Sequence, residues 1–165
     1  MRNVILIGMP GCGKTTVINL SKERCGKEVL DTDAYIENLY GSISEIFAKY
    51  GEEHFRKLET EAVKEICKKD DCFISTGGGS VMREENVRIF KESGRIVYLR
   101  ANLKTLLERL EGDNSRPLLA GNMSDRLSEL FEKRVHVYEH VADIIVDTDG
   151  LTPNEVLESI FSKLN

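Results

Sequence analysis

Apolar residues fall along this chain in two alternating patterns. Short unbroken runs, Val4 to Ile7, Val29-Leu30, Cys72 to Ser75, Arg95 to Leu99 and Ile144 to Val146, have the length and composition of strands. Between them, Thr16 to Cys25, Glu53 to Lys68 and Leu103 to Leu110 carry apolar positions at helical spacing. A helix after most strands implies right-handed crossovers, so the pattern predicts a three-layer α/β/α fold with a five-stranded parallel sheet covered on both faces. Ligand loops then belong at the carboxyl ends of the strands. Two excursions leave this core. Residues from about 34 to 69 form a helical insertion between the second and third strands. Residues from about 111 to 124 are polar and contain glycine, as expected of a mobile lid that excludes water during reaction. With no repeats and no low-complexity linker, residues 1–165 read as a single domain.

Composition narrows the function. At 165 residues and 18.6 kDa the chain has the size of a small-molecule kinase, too short for a motor or signalling nucleoside triphosphatase carrying accessory domains. A net charge of −5 and the lack of a Lys/Arg block argue against a nucleic-acid partner. No apolar run approaches the roughly 20 residues that span a bilayer, and the first strand leads directly into a glycine-rich loop, so no secretory signal and no membrane partner are expected. Cys12, Cys25, Cys67 and Cys72 form no C-x-x-C pair and read as reduced thiols. A cytoplasmic monomer is the expectation.

The chemistry enters at Gly8-Met9-Pro10-Gly11-Cys12-Gly13-Lys14-Thr15, which matches the G-x-x-x-x-G-K-[ST] phosphate loop between a strand and a helix. Backbone N–H groups from Gly11, Cys12, Gly13, Lys14, Thr15 and Thr16 can converge on phosphate oxygens at the positive end of the following helix. Lys14 adds charge near the β- and γ-phosphates, and the Thr15 hydroxyl is suited to Mg²⁺. Cys12 lies inside the loop, where its oxidation would impair nucleotide binding. A nucleotide with Mg²⁺ is therefore the expected occupant of the loop, which does not say which reaction it serves.

Three further clusters are less specific. Asp31-Thr32-Asp33 follows the second strand, and if the segment is extended both carboxylates point to one side, one for metal and one for substrate. Such pairs are also common as solvated loop acids, and it is the position after a strand that favours a site. Arg56 and Glu59, three apart on a helix, can pair and orient the guanidinium toward a carboxylate, although the stretch also reads as an ordinary amphipathic helix start. Thr76-Gly77-Gly78-Gly79-Ser80 ends the third strand, and three glycines there imply that something approaches the backbone closely, most naturally a ligand. A metal-binding acid expected at that strand end is absent, which points to Asp31 as a metal ligand beside Thr15.

In order and spacing these pieces, with Ile46-Phe47, Gly51-Glu52, Phe55-Arg56, the lid sequence Arg116-Pro117-Leu118-Leu119 and Arg134 with Tyr138 and Ala142, closely resemble the shikimate kinase family over nearly the whole chain. The resemblance implies transfer of the γ-phosphoryl of ATP to the 3-hydroxyl of shikimate. It implies catalytic roles for Asp33, Lys14 and Arg116, and a carboxylate clamp of Arg56 and Arg134. Ring hydroxyls would be oriented by Asp33 and the backbone of Gly78 and Gly79, Mg²⁺ held by Thr15 and Asp31, and adenine placed near Arg109 and Leu151. Two departures are local. Arg134-Val135-His136-Val137-Tyr138 lacks the family's frequent proline, and Leu151 stands where relatives can carry arginine, so base contact there would be through backbone and packing.

Other readings are distinguishable. Another small-molecule kinase, such as a gluconate kinase, would share Lys14, Thr15 and Asp33 but need not carry the Arg56 and Arg134 pair. A binding protein that had lost catalysis would be expected to lack Asp33, Lys14 or Arg116. His136 and His140 have a zinc-compatible spacing but no evident third ligand, and read as surface or packing residues.

Overall fold

The computed structural model describes residues 2–111 and 122–165. Its core is a five-stranded, all-parallel sheet of β1 (Asn3–Ile7), β2 (Glu28–Asp31), β3 (Cys72–Ser75), β4 (Gly94–Arg100) and β5 (Ile144–Asp147), in the order β2-β3-β1-β4-β5. The central strand, Asn-Val-Ile-Leu-Ile, is buried at every position because helices cover both faces of the sheet. Each fully buried aliphatic side chain there contributes ~1.5–3 kcal/mol. The edge strand β2 is less apolar and partly exposed, with Glu28 in solvent.

Helices α1 (Lys14–Cys25), α2 (Thr32–Tyr40), α3 (Ile43–Tyr50), α4 (Glu52–Ile66), α5 (Glu84–Ser93), α6 (Leu103–Glu111), α7 (Met123–Val141) and α8 (Pro153–Leu164) follow in chain order. The first ends at Gly26, whose φ of 64° lets its N–H close back on the Lys22 carbonyl. The last begins with a reciprocal capping box of Thr152 and Glu155, with proline in its first turn. The insertion comprises most of α2, α3 and α4, which carry a small apolar cluster of their own, Ile36, Ile46, Phe55 and Ala62, beside the main core.

The order of strands in the sheet places β1 between β3 and β4, so the connections from its carboxyl end and from β3 diverge to opposite sides. A crevice opens at that switch point. The phosphate loop leaves β1 there and the triple glycine leaves β3. One expectation is corrected: Asp31-Thr32-Asp33 is not extended throughout. The strand stops at Asp31, whose carboxylate accepts the Ala34 N–H at 2.9 Å and caps α2, so Asp33 lies in the first helical turn.

Candidate active site

The crevice is a cavity of about 940 Å³ whose walls come from the phosphate loop, the start of α2, the insertion, the triple glycine, α7 and the loop before α8. On the nucleotide side, Gly8, Gly11 and Gly13 all have positive φ. A side chain at Gly8 would also collide with the Cys12 Sγ and the Leu99 carbonyl, at 2.7 and 2.8 Å. Lys14 extends its ammonium over the loop and donates to the carbonyls of Gly8 at 2.8 Å and Met9 at 3.2 Å. Thr15 and Thr16 are exposed in the first turn of α1. Cys12 lines the loop, but its side chain is buried and contacts Lys14 Nζ at 3.5 Å, leaving its backbone as the part suited to a phosphate. Arg109, expected near a base, donates to the Gly11 carbonyl at 3.1 Å and so ties α6 to the loop. Leu151 lines the same end of the cavity with Thr148, Pro153 and Val156, in keeping with a packing surface for a base.

On the acceptor side each of the three glycines faces a different functional side chain. A methyl group at Gly77 would lie 2.8 Å from Asp33 Oδ1 and 3.0 Å from Glu59 Oε2. At Gly78 it would lie 2.7 Å from Arg134 Nη1, and at Gly79 2.6 and 2.8 Å from the two terminal nitrogens of Arg56. None of the three has positive φ, so glycine is required here for space. The expectation of a ligand against this backbone is thus refined: Asp33, Glu59, Arg56 and Arg134 themselves press on it. Thr32 fixes the turn, accepting the Gly77 N–H at 3.0 Å through its buried hydroxyl. Its position between two acids gives no sequence signal for that role.

Electrostatics set these groups apart. Burial, reinforced by the neighbouring charges of Asp31 and Glu59, raises the Asp33 carboxyl to about 6, and Lys14 partly opposes the rise. Asp33 Oδ1 is buried without a hydrogen-bond partner. Arg56 donates to Glu59 Oε1 at 2.9 Å and to Glu52 Oε1 at 3.4 Å, which holds the guanidinium at the cavity wall. Burial also raises the Glu59 carboxyl against the opposing pull of Arg56. The paired Phe47 and Phe55 rings, 4.8 Å apart, line the wall beside it. His136 and His140 are exposed on α7, and no group of three or more His, Cys, Asp or Glu suited to a metal occurs among the described residues. Arg116 and the central lid, residues 112–121, lie outside the described residues.

A phosphate loop at the switch point of this sheet, facing a pocket with one partnerless acid and two arginines, defines a small-molecule kinase of the phosphate-loop class. Comparison with known proteins narrows the class. The family model "Shikimate kinase" matches residues 10–165. The shikimate kinase of Thermodesulfovibrio yellowstonii is 45% identical over 165 residues, covering 99% of this chain and 95% of that protein. That of Persephonella marina is 39% identical, covering 99% of each. Among solved structures, shikimate kinase from Acinetobacter baumannii in complex with shikimate superposes with a TM-score of 0.93 at 33% identity, covering 99% of this chain and 93% of that one. The enzyme from Aquifex aeolicus gives 0.84 at 36% identity, covering 98% and 95%. The chain belongs to the shikimate kinase family, and is an ATP-dependent phosphotransferase with an alcohol acceptor.

Proposed function

We propose that this protein phosphorylates the 3-hydroxyl of shikimate at the expense of ATP, with Asp33 as the group that aligns and deprotonates the hydroxyl and Arg56 with Arg134 as the clamp on the substrate carboxylate. One juxtaposition carries the residue assignment: beside the triple glycine Glu59 is paired with Arg56, while Asp33 keeps a buried carboxylate oxygen without a partner on the same wall as the Arg56 and Arg134 guanidinium groups. Shikimate presents the complementary pair, an acid at one end of the ring and hydroxyls at the other. A gluconate kinase reading accounts for Asp33 but not for glycines that make room for both arginines.

With its carboxyl raised to about 6, Asp33 is ionised at neutral pH yet basic enough to receive a proton. The hydroxyl proton passes to the Asp33 carboxylate as the substrate oxygen bonds to the γ-phosphorus, and the bond to the β-phosphate oxygen breaks to release ADP. Lys14 neutralises charge that accumulates on the transferring group, and the loop N–H groups hold the remaining phosphates. For the metal, the available protein donors are the Thr15 hydroxyl and the Asp31 carboxylate, both hard oxygens on the cavity wall. A two-donor set of this kind suits Mg²⁺, which keeps several waters and takes phosphate oxygens as further ligands. When bound, the ion would supply charge neutralisation at the phosphates.

Four free cysteines support a reducing, cytoplasmic setting, and no described helix is long and apolar enough to cross a membrane. We take the protein to act as a monomer, one domain with residues 34–69 as its acceptor-binding arm. A coupled ADP-release assay with ATP, Mg²⁺ and either shikimate or gluconate tests the function. Turnover with shikimate and none with gluconate is expected; absence of shikimate-dependent ADP release refutes it.

A further inference from the structure

Tyr138 is completely buried on α7, with its ring tilted against Tyr98 at a centroid distance of 5.0 Å. Packing alone would be served by phenylalanine, because a phenol placed in the interior must find partners for its oxygen. This one finds its partner on the acceptor side of the cavity. Its O–H donates to the carbonyl of Gly78, sixty residues earlier in the chain. Arg134 lies one helical turn before it on the same face of α7, so the guanidinium and the phenol converge on the same peptide. Gly78 and Arg134 are themselves in close contact, since a Cβ on Gly78 would lie 2.7 Å from Arg134 Nη1 and 3.5 Å from the Tyr138 hydroxyl oxygen.

We propose that Tyr138 is a positioning residue of the acceptor site, its hydroxyl locking the Arg134 guanidinium and the Gly78 peptide into one fixed arrangement. The inference rests on the assignment of Arg134 and Gly78 to shikimate given above. A long arginine side chain is otherwise free to sample many rotamers, and a run of three glycines is the most pliable backbone available. Neither can present a ligand with fixed geometry unless something rigid holds it. Tyr138 is rigid because its ring is clamped in the core. Burial holds the phenol's pKa well above the ordinary phenol range, so the O–H stays protonated and donates throughout any working pH. The bond also ties the loop after β3 to α7, two segments joined by no strand pairing.

The test is Tyr138→Phe, which keeps the ring and removes one oxygen. The KM for shikimate should rise about tenfold, the equivalent of ~1.4 kcal/mol and within the range for a buried acceptor that has lost its donor. The KM for ATP should stay within about twofold, since the phosphate loop is untouched. In an Arg134→Ala background the same replacement should cost less than in the wild type, because part of its effect passes through the guanidinium. An unchanged shikimate KM in Tyr138→Phe, or equal rises in both KM values, overturns the proposal. Arg134→Ala alone separates the two levels. If it leaves the shikimate KM unchanged the clamp assignment fails, whereas if it weakens shikimate and Tyr138→Phe does not, only the positioning role fails.

Discussion

Replacing Gly79 with alanine adds one carbon at the point where the Arg56 guanidinium rests. The new methyl would stand 2.6, 2.8 and 2.9 Å from Nη2, Nη1 and Cζ, where ordinary contacts begin near 3.4 Å, so the guanidinium must withdraw by roughly 1 Å. The backbone does not object, because Gly79 has φ −96° and ψ 1°, which alanine can adopt. Folding should therefore change by no more than ~1 kcal/mol, with the entropy gained from removing a glycine offsetting part of any crowding. The displaced group is a charged donor to a carboxylate, a contact worth ~1.5–3 kcal/mol, so the shikimate KM should rise by about tenfold to a hundredfold. ATP, bound on the other side of the crevice, should keep its KM within about twofold. Steady-state kinetics varying each substrate in turn, with thermal unfolding as the folding control, measures all three. An unaltered shikimate KM in a well-folded variant would refute the idea that the glycines exist to make room for the clamp.

Asp33 and Cys12 give two further expectations. The folded Asp33 carboxyl sits near 6, above the ordinary 3.8 of an aspartate, so the native state holds the proton more tightly; the stability this group contributes is fully present below about 4 and is lost as pH rises through about 6. In metal-free protein, Asp33→Asn should therefore be more stable than wild type at pH 7.5 by ~1–2 kcal/mol, a Tm gain of about 2–8 °C, while losing most turnover; a lower Tm, or a stability difference independent of pH, counts against the buried unpaired carboxylate. Cys12→Ala should leave the ATP KM within about threefold, since its thiol is buried and its one polar contact is the long one to Lys14 Nζ, leaving the backbone to face a phosphate; a large rise would mean that the side chain reaches the nucleotide.

The sheet was legible because its strands are short aliphatic runs buried on both faces, and such runs have few other uses in a chain of this size. β2 was visible only as Val29-Leu30, since an edge strand needs less apolar sequence and the flanking Glu28 and Asp31 do not look like strand residues. The aspartate pair was placed correctly at the crevice but for an incomplete reason. Asp31 is a favourable helix cap as well as a strand end, and local capping turned the chain two residues earlier than an extended reading through Asp33 allows. The triple glycine announced a close approach but could not say what approached, because Asp33, Arg56, Glu59 and Arg134 arrive from α2, α4 and α7. Arg109 was read as a base neighbour, and its bond to the Gly11 carbonyl appears only when α6 is folded against the loop. Tyr138 entered the sequence reading only as one piece of the family pattern, although its place four residues after Arg134 on a helix already put it on that arginine's face.

The central claim is that a carboxylate on the acceptor is held by Arg56 and Arg134 while a hydroxyl faces Asp33. Comparing shikimate with its methyl ester tests it most directly, because esterification removes the negative charge and leaves the ring hydroxyls in place. The account predicts that wild-type kcat/KM falls by at least about a hundredfold for the ester, two charged contacts at ~1.5–3 kcal/mol each, and that Arg56→Ala with Arg134→Ala nearly abolishes the preference for the acid. Equal use of acid and ester by the wild type would contradict it.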